Sequence, residues 1–370
     1  MADVPVLAAV PGQEHAIAFL TRALARPHHA YVLAGPEGGG KQLAARAFVA
    51  ALLCRRGGCG DCRDCRLALD DRHPNEFVVE PEGRDIHVDT VRTEVWQPIH
   101  LTAPEPGRKV FVIREADRLN AAAADVLLKV LEEPPADAVL LLLSARPDEL
   151  PDTVLSRCHV VSFQPLPERF VVDALVGEGA EPARAALAAR LAGGNLGRAR
   201  RLATRDDALA FRDVARDALD RATEGAHGAL AAADLVLAAA EGYRKGLKGE
   251  LEEELAPFHD DRGRPDDAYR GAIRRIRERH ARRERRAERD SVDWTLLAAS
   301  AFLRDRILAA AGGDPALLLH LDTAPAPTPV AASARALAAI EDARAALAED
   351  LNRNTRLVLE RAFLAVGDAA

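Results

Sequence analysis

One segment of the chain has the residue types of a phosphate-binding loop. It runs Gly35-Pro36-Glu37-Gly38-Gly39-Gly40-Lys41-Gln42, and its glycines could turn backbone N–H groups toward a phosphate that Lys41 also contacts. Gly35, Gly40 and Lys41 are therefore the candidate nucleotide ligands. A working loop of this kind ends in Ser or Thr, whose hydroxyl binds Mg²⁺. Gln42 occupies that position here and offers no hydroxyl.

The second protein ligand of Mg²⁺ in such sites is an Asp at the end of a downstream apolar strand. The candidate strand Val110-Phe111-Val112-Ile113 is followed by Arg114-Glu115, so Arg114 would place a fixed cation where the metal should bind. Because both protein ligands are missing, we expect weak or no nucleotide binding and no hydrolysis. ATP is therefore not an expected productive cofactor.

Four of the five cysteines lie within twelve residues of one another, which is typical of a metal site. They are Cys54, Cys59, Cys62 and Cys65. Two successive Cys-x-x-Cys steps with a fourth thiol nearby match a closed tetrahedral site for structural Zn²⁺. A redox role would instead use an isolated Cys-x-x-Cys pair, and disulfides are rare in reducing compartments. We therefore predict a zinc-binding loop at residues 54–65.

These residues lie where short apolar runs alternate with longer segments. Strands are predicted at residues 31–34, 76–80, 109–113, 139–144 and 160–163, and a helix at 41–53 follows the glycine-rich loop. Such alternation predicts an α/β fold with a parallel sheet covered by helices. Beyond residues 164–167 only helical patterns remain, so we predict three domains at 1–165, 166–205 and 206–370.

The composition places few constraints on partners. The 370 residues carry a net charge of -7, are 48% hydrophobic and contain only 4% aromatic residues, which favours a mostly helical protein without a strong overall field for nucleic acid. No signal-peptide pattern is present, and no apolar run approaches the ~20 residues that span a bilayer. We therefore expect a cytoplasmic protein with no membrane partner.

A charged stretch at about 245–290 stands apart within the third domain. Its acidic part is Glu250, Glu252, Glu253 and Glu254, and its basic part is Arg270, Arg274, Arg275, Arg277, Arg279, Arg282, Arg283, Arg285, Arg286 and Arg289. An arginine-rich helix can bind DNA phosphates. A solvated or self-pairing charged hairpin is equally compatible with this pattern.

Two further motifs carry a resemblance to a known family. Residues 124–135 predict a helix that stops at Glu132-Glu133-Pro134-Pro135, and Ser156-Arg157-Cys158 follows the next strand. Together they closely resemble the bacterial clamp-loader branch of the AAA+ family. Residues 10–14, Gly193-Gly194-Asn195 and the tail at 352–360 resemble it as well. The similarity extends along the chain except for the charged stretch.

The resemblance implies an AAA+ RecA-like domain, a helical lid domain and a helical collar that joins an oligomer. It implies that Arg157 acts in trans as an arginine finger at the ATP site of a neighbouring gamma/tau-type subunit. The implied assembly also contains a delta-type subunit and loads a sliding clamp onto primer-template DNA during replication. A guanidinium suits this role because it can contact two phosphate oxygens of the transferred group.

Active members of this branch have a complete loop ending in Lys-Thr or Lys-Ser and an Asp-Glu pair after the third strand. This chain has Lys41-Gln42 and Arg114-Glu115, so it resembles a non-hydrolysing member without intrinsic ATPase activity. The resemblance places Glu115 where active members polarise water, and without a metal it would pair with Arg114 or another neighbouring cation. It also places Ser144 and Arg198 near positions that sense the γ-phosphate.

Two other functions remain compatible with the sequence. The first is an active gamma/tau-like clamp-loader ATPase in which Gln42 contacts phosphate through water. The second is a stand-alone zinc adaptor that binds nucleic acid through residues 270–289. Hydrolysis of Mg-ATP that depends on Lys41 would distinguish the first, and salt-dependent DNA binding by the isolated chain would distinguish the second.

Overall fold

The chain forms two compact units, Met1–Arg200 and Arg201–Ala370. The computed structural model describes residues 4–81, 85–204, 206–256, 270–326, 328–349 and 354–369. Within these ranges, every helix is too short or too polar to cross a lipid bilayer. The predicted three-domain division, with 166–205 as a separate lid, stays a prediction.

The first unit is built on a parallel five-stranded sheet. Its strands are β1 (Ala30–Ala34), β2 (Glu76–Val79), β3 (Lys109–Ile113), β4 (Ala138–Ser144) and β5 (His159–Ser162), in the order β2-β3-β4-β1-β5. The strands β1, β3 and β4 are buried along their whole length, as expected for parallel strands covered on both faces. The predicted α/β fold is confirmed, and each predicted strand is found to within one residue at either end.

Helices cover both faces of this sheet. On one face lie α1 (Pro5–Ala8), α2 (Glu14–Ala23), α3 (Lys41–Leu53) and α4 (Arg63–Leu69), and on the other lie α5 (Val88–Val91), a π-helical turn (Arg92–Trp96), α6 (Gln97–His100), α7 (Ala121–Glu132) and α8 (Asp152–Leu155). Tyr31 and Leu33 face the first layer, whereas Val32 and Ala34 face the second. This alternation along β1 follows from the two-residue period of a strand.

Helical structure follows the sheet. The helices α9 (Glu168–Gly177) and α10 (Pro182–Ala192) belong to the first unit, and α11 (Leu196–Thr204) follows them. An ion pair of 2.9 Å between Arg190 Nε and Glu168 Oε1 joins α9 to α10. Gly193 has a φ of 57° at the end of α10, a left-handed conformation that favours glycine.

The second unit is helical, as predicted. Its elements are α12 (Asp206–Ala222), α13 (Ala226–Leu255), α14 (Arg270–Ala310), α15 (Val330–Glu349) and α16 (Thr355–Ala369), which share one apolar core. Gly312, with a φ of 70°, lies just beyond the end of α14. A left-handed conformation at the end of a helix favours glycine.

The charged stretch lies on the far parts of α13 and α14. Leu251, Leu255, Ile273 and Ile276 form a small apolar seam between these helices, and Lys248 Nζ lies 3.5 Å from Glu284 Oε1. The described residues therefore show that α13 and α14 contact each other along this stretch. Several predicted side chains lie outside the described residues, namely those of Glu253, Arg270, Arg274, Arg275, Arg279, Arg282, Arg283, Arg285 and Arg286, as do residues 352–353 of the tail motif.

Candidate functional site

The glycine-rich loop joins β1 to α3, which is the strand–loop–helix setting that a phosphate-binding loop requires. Gly35, Gly38 and Gly40 have φ angles of 146°, 74° and 91°. L-amino acids with side chains rarely adopt such angles, so glycine is needed at each position. Gly40 also caps the N-terminus of α3, where backbone N–H groups are exposed to any bound anion.

Lys41 is folded back onto its own loop. Its side chain is buried, and Nζ donates a hydrogen bond to Gly35 O and another to Pro36 O at 2.8 Å. Burial lowers the pKa of Lys41, and the charges of Glu37 and Asp117 oppose that shift. A phosphate group would therefore compete with two carbonyl oxygens for this ammonium group.

The two residues that replace the Mg²⁺ ligands contact each other. With its amide oriented so that the oxygen faces the guanidinium, Gln42 Oε1 accepts hydrogen bonds from Arg114 Nη1 at 3.2 Å and Nη2 at 3.0 Å. Arg114 also donates to Asp71 Oδ2 at 2.6 Å and to Glu80 Oε1. Burial alone would lower the pKa of Arg114, but the hydrogen bonds and charges of Asp71 and Glu80 raise it. The permanently charged guanidinium of Arg114 therefore lies beside Gln42, the residue at the position predicted for a Mg²⁺ ligand.

Asp71 ties this cation to α3. Arg46 donates from Nε to Asp71 Oδ1 at 2.9 Å and from Nη2 to Oδ2. Burial would raise the pKa of Asp71, whereas the hydrogen bonds from Arg46 and Arg114 lower it. No local pattern in the sequence marks Arg46, Asp71 and Glu80, because these residues meet only in the folded chain.

Glu76, the first residue of β2, lies beside this charge network. Among the described residues, neither of its buried carboxylate oxygens has a hydrogen-bond partner. Burial and the nearby charge of Asp71 raise the pKa of Glu76 to about 8. The carboxyl group is therefore mostly protonated at neutral pH.

Polar residues beyond the carboxyl ends of β3 and β4 are also paired within the chain. Glu115 Oε2 lies 2.9 Å from Arg118 Nε, so the neighbouring cation Arg118 is a partner of Glu115. Ser144 donates from Oγ to Asp117 Oδ1 at 2.9 Å. The Ser144 hydroxyl, which was predicted near a γ-phosphate, is thus engaged by a carboxylate of its own chain.

Arg157 lies at the surface just before β5, with 37% of its side chain exposed. Its Nη1 donates to Thr153 O at 2.9 Å, and its Nη2 donates to Glu132 Oε1 at 3.0 Å. Glu132 is the last residue of α7, so this ion pair joins the two motifs that together carried the family resemblance.

Arg157 and the glycine-rich loop lie at opposite ends of the sheet. The loop follows β1, whereas Arg157 precedes β5, and the two strands run parallel as neighbours. A four-residue strand spans about 13 Å. Arg157 is therefore placed away from the loop of its own chain.

The four predicted cysteines come together after α3. Their sulfur atoms all lie within 4.8 Å of one another. The Sγ–Sγ distance is 3.7 Å for Cys54–Cys59, 3.6 Å for Cys54–Cys62 and 3.9 Å for Cys59–Cys65. A tetrahedral zinc ion with Zn–S bonds of about 2.3 Å has sulfur–sulfur edges of about 3.8 Å. The four thiols therefore fit a structural zinc site in both number and spacing.

Backbone groups around this cluster favour negatively charged sulfur. Burial would raise the pKa of the Cys54 thiol, but hydrogen bonds from the backbone of Cys59, Gly58 and Arg56 lower it to about 6. Burial raises the pKa of the Cys65 thiol, so its deprotonation depends on the cation that it would bind.

The cysteine loop also supports α1. Val6 N donates to Gly58 O at 3.2 Å. A Cβ atom added to Gly58 would lie 2.8 Å from Val6 Cγ2 and 2.9 Å from Val4 Cγ1. The loop therefore packs directly on the start of the chain, where only glycine leaves enough room.

A second group of potential metal ligands, Asp64, His73 and Glu105, has a structural explanation. Nδ1 of buried His73 accepts the backbone N–H of Asn75 at 3.1 Å, which leaves the proton on Nε2, 3.8 Å from Asp64 Oδ1. Both carboxylate oxygens of Glu105 accept from Arg63, at 3.0 and 3.1 Å. These contacts occupy the His73 nitrogen and the Glu105 oxygens that a metal ion would need as ligands.

Known proteins are similar to the first part of the chain. The family described as "DNA polymerase III, delta subunit" matches residues 12–167. DNA polymerase III subunit delta' of Pseudomonas aeruginosa is 43% identical over 185 residues, which cover 47% of this chain and 55% of that protein. The delta' subunit of Bacillus subtilis is 34% identical over 169 residues, covering 45% and 51%. The chain thus spans about half the length of these relatives.

Subunits of a second type are similar as well. DNA polymerase III subunit tau of Salmonella typhimurium is 34% identical over 217 residues, covering 55% of this chain and 33% of that protein. A solved gamma subunit-related protein of Thermotoga maritima has a TM-score of 0.44 at 15% identity, with 95% of this chain and 98% of that chain covered, a similarity too low to bear on function. The sequence matches confirm the resemblance to DNA polymerase III clamp-loader subunits. The matched region contains the loop, the cysteines and Arg157.

Proposed function

We propose that this chain, whose residues 12–167 are related to the delta prime subunits of DNA polymerase III, is a clamp-loader subunit that does not itself hydrolyse ATP. The contact between Gln42 and Arg114 carries the proposal. It shows that the two substituted positions form one interacting pair and leave neither a hydroxyl nor a carboxylate of their own for a metal. The partners would be gamma/tau and delta subunits, and the complex would load a sliding clamp onto primer-template DNA in the cytoplasm.

The electrostatics of Arg114 explain the loss of activity. A divalent ion about 4 Å from a guanidinium is repelled by roughly 8 kcal/mol at an effective dielectric constant of 20. Asp71 and Glu80 offset part of this repulsion, yet both already bind Arg114. Because the γ-phosphate needs Mg²⁺ to neutralise its developing charge, the loop cannot support hydrolysis.

Arg157 would act on the nucleotide of a neighbouring subunit. Its guanidinium is exposed and lies at the end of the sheet opposite its own loop. The ion pair with Glu132 is half exposed, and such pairs contribute only about 0.2–1 kcal/mol. Arg157 can therefore exchange the Glu132 carboxylate for a phosphate oxygen of a partner at low cost. Zn²⁺ on the four cysteines would have no catalytic part, since a Cys₄ set leaves no open ligand position.

A reconstituted loader tests this proposal. The Arg157→Ala variant should fold normally and lower the DNA-stimulated ATPase rate of a complex with gamma/tau and delta subunits by about 10³-fold, since a finger in trans is typically worth that much. Arg92→Ala is a matched control, because Arg92 is an exposed arginine that pairs with Asp89 at 3.4 Å. Normal turnover with Arg157→Ala would contradict the finger assignment.

The isolated chain tests the other half of the proposal. It should show no Mg-ATP hydrolysis above background in the absence of partners. Hydrolysis that disappears in Lys41→Ala would instead establish an active gamma/tau-like ATPase. The two assays are independent, so either half can fail alone.

A further inference from the structure

Gln13 lies buried among three separate segments of the first unit, with 5% of the residue exposed. Its Nε2 donates to Gly39 O at 2.8 Å and to Gln164 O at 2.6 Å, and its Oε1 accepts from Gln164 N at 3.1 Å. One side chain thus connects the residue before α2, the glycine-rich loop and the segment that leads from β5 to α9.

The glycine-rich loop also touches the turn between α10 and α11. A Cβ atom added to Gly38 would lie 2.0 Å from Cγ of Asn195, so the Asn195 amide rests against this glycine. Leu166 N donates to Gly194 O at 3.2 Å. The loop, the β5–α9 segment and the α10–α11 turn therefore meet at one place.

Backbone geometry leaves little space at this meeting point. Gly12 and Gly194 have φ angles of 66° and 83°. An added Cβ would lie 2.6 Å from Leu166 Cδ2 at Gly12 and 2.7 Å from Pro165 Cβ at Gly194. At Gly194 the added atom would also lie 2.8 Å from the backbone N and O of Leu166, so a side chain there would force these segments apart. At Gly12 the positive φ itself favours glycine.

We propose that Gln13 and Asn195 turn the glycine-rich loop into a structural joint, which fixes α9 and α10 on the sheet without a bound nucleotide. Gln13 makes hydrogen bonds with three backbone groups. Its truncation leaves Gly39 O, Gln164 O and Gln164 N without these hydrogen bonds, and unsatisfied buried groups are costly. The joint lies wholly within the first unit and involves neither Arg157 nor a partner subunit.

Hydrogen exchange of the full chain, read by mass spectrometry, tests the joint. In Gln13→Ala, peptides from residues 35–41 and 168–192 should exchange at least about tenfold faster than in the wild type, while peptides from 206–369 stay unchanged. Gln97→Ala is the control, because Gln97 is an exposed glutamine on α6. Added Mg-ATP should leave the wild-type protection of 168–192 unchanged.

Two more variants keep the test decisive if Gln13→Ala loses its fold. Gln13→Glu keeps the size and the acceptor for Gln164 N but cannot donate to the two carbonyl oxygens. Asn195→Ala removes the contact with Gly38 from the opposite side. Both should accelerate exchange in the same peptides. Unchanged exchange in the folded variants, or wild-type protection that appears only with Mg-ATP, would overturn the joint. Neither result would bear on the separate Arg157 assay.

Discussion

At the residue scale, Arg114 is both the replacement for a metal ligand and a stabilising cation. It binds Gln42, Asp71 and Glu80 together, with 16% of its side chain exposed. The residue that is proposed to exclude Mg²⁺ also binds two carboxylates.

This dual role predicts a large loss of stability in Arg114→Ala. Removing one partner of a buried ion pair typically costs about 3–5 kcal/mol. Glu80 would lose its contact with Arg114, whereas Asp71 would still be bound by Arg46. Denaturant unfolding should show a fall of roughly that size in the free energy of unfolding. Arg92→Ala should change it by about 0.5 kcal/mol or less, as exposed positions do. Equal stabilities for the two variants would contradict the structural role.

The raised pKa of Glu76 predicts that the free energy of unfolding falls as the pH rises, which is opposite to the effect of most carboxyl groups. Its pKa is raised from 4.5 to about 8 in the folded chain, so the folded state holds a proton that the unfolded state releases between these values. Its contribution to stability is present below pH ~4.5 and is lost as the pH rises through ~8.

The Glu76→Gln variant should remove this dependence. Between pH 5 and pH 9, the free energy of unfolding of the wild type should fall by roughly 2–4 kcal/mol more than that of the variant. Parallel denaturant titrations across this range measure the difference. Two parallel curves would show that Glu76 is ionised in the folded chain.

At the element scale, the cysteine loop links metal binding to the start of the chain. Cys54 ends α3, Cys62 caps α4, and Gly58 contacts Val6 near α1. One ion on the four sulfur atoms would thus fix three helices at once. Loss of the ion should loosen this corner while the sheet remains.

Zinc content and the protection of backbone amides against hydrogen exchange measure this effect. We expect about one zinc per chain in reduced protein, as for a closed Cys₄ site, and much less in Cys62→Ser. Chelation should speed hydrogen exchange in residues 4–9 and 54–69. Cys158→Ser is the control, since Cys158 lies outside the cluster and should keep its zinc. Full zinc content in Cys62→Ser would contradict the proposed site.

The strands and the cysteine cluster could be predicted from the sequence, whereas the long-range contacts between elements could not. The strands were predictable because a buried parallel sheet needs continuous apolar runs, and the cysteines because their ligand spacing is local. The contacts of Gln13 with Gln164 and of Arg114 with Asp71 join residues 151 and 43 positions apart. No pattern in the chain encodes such meetings, so the joint and the charge network emerged only from the fold.

At the scale of the whole molecule, the chain combines a sheet-based unit and a helical unit. The matched family covers residues 12–167, which lie in the first unit and include Arg157.

The opposite placement of Arg157 and the glycine-rich loop gives the molecule a direction. In a row of similar subunits, such a chain could supply Arg157 to the ATP site of the neighbour on one side. It would offer no hydrolysing ATP site to the arginine of the neighbour on the other side. A series of subunits that activate one another would therefore end at each copy of this protein. The number of ATP sites that can hydrolyse in an assembly would be set by how many copies of this chain it contains.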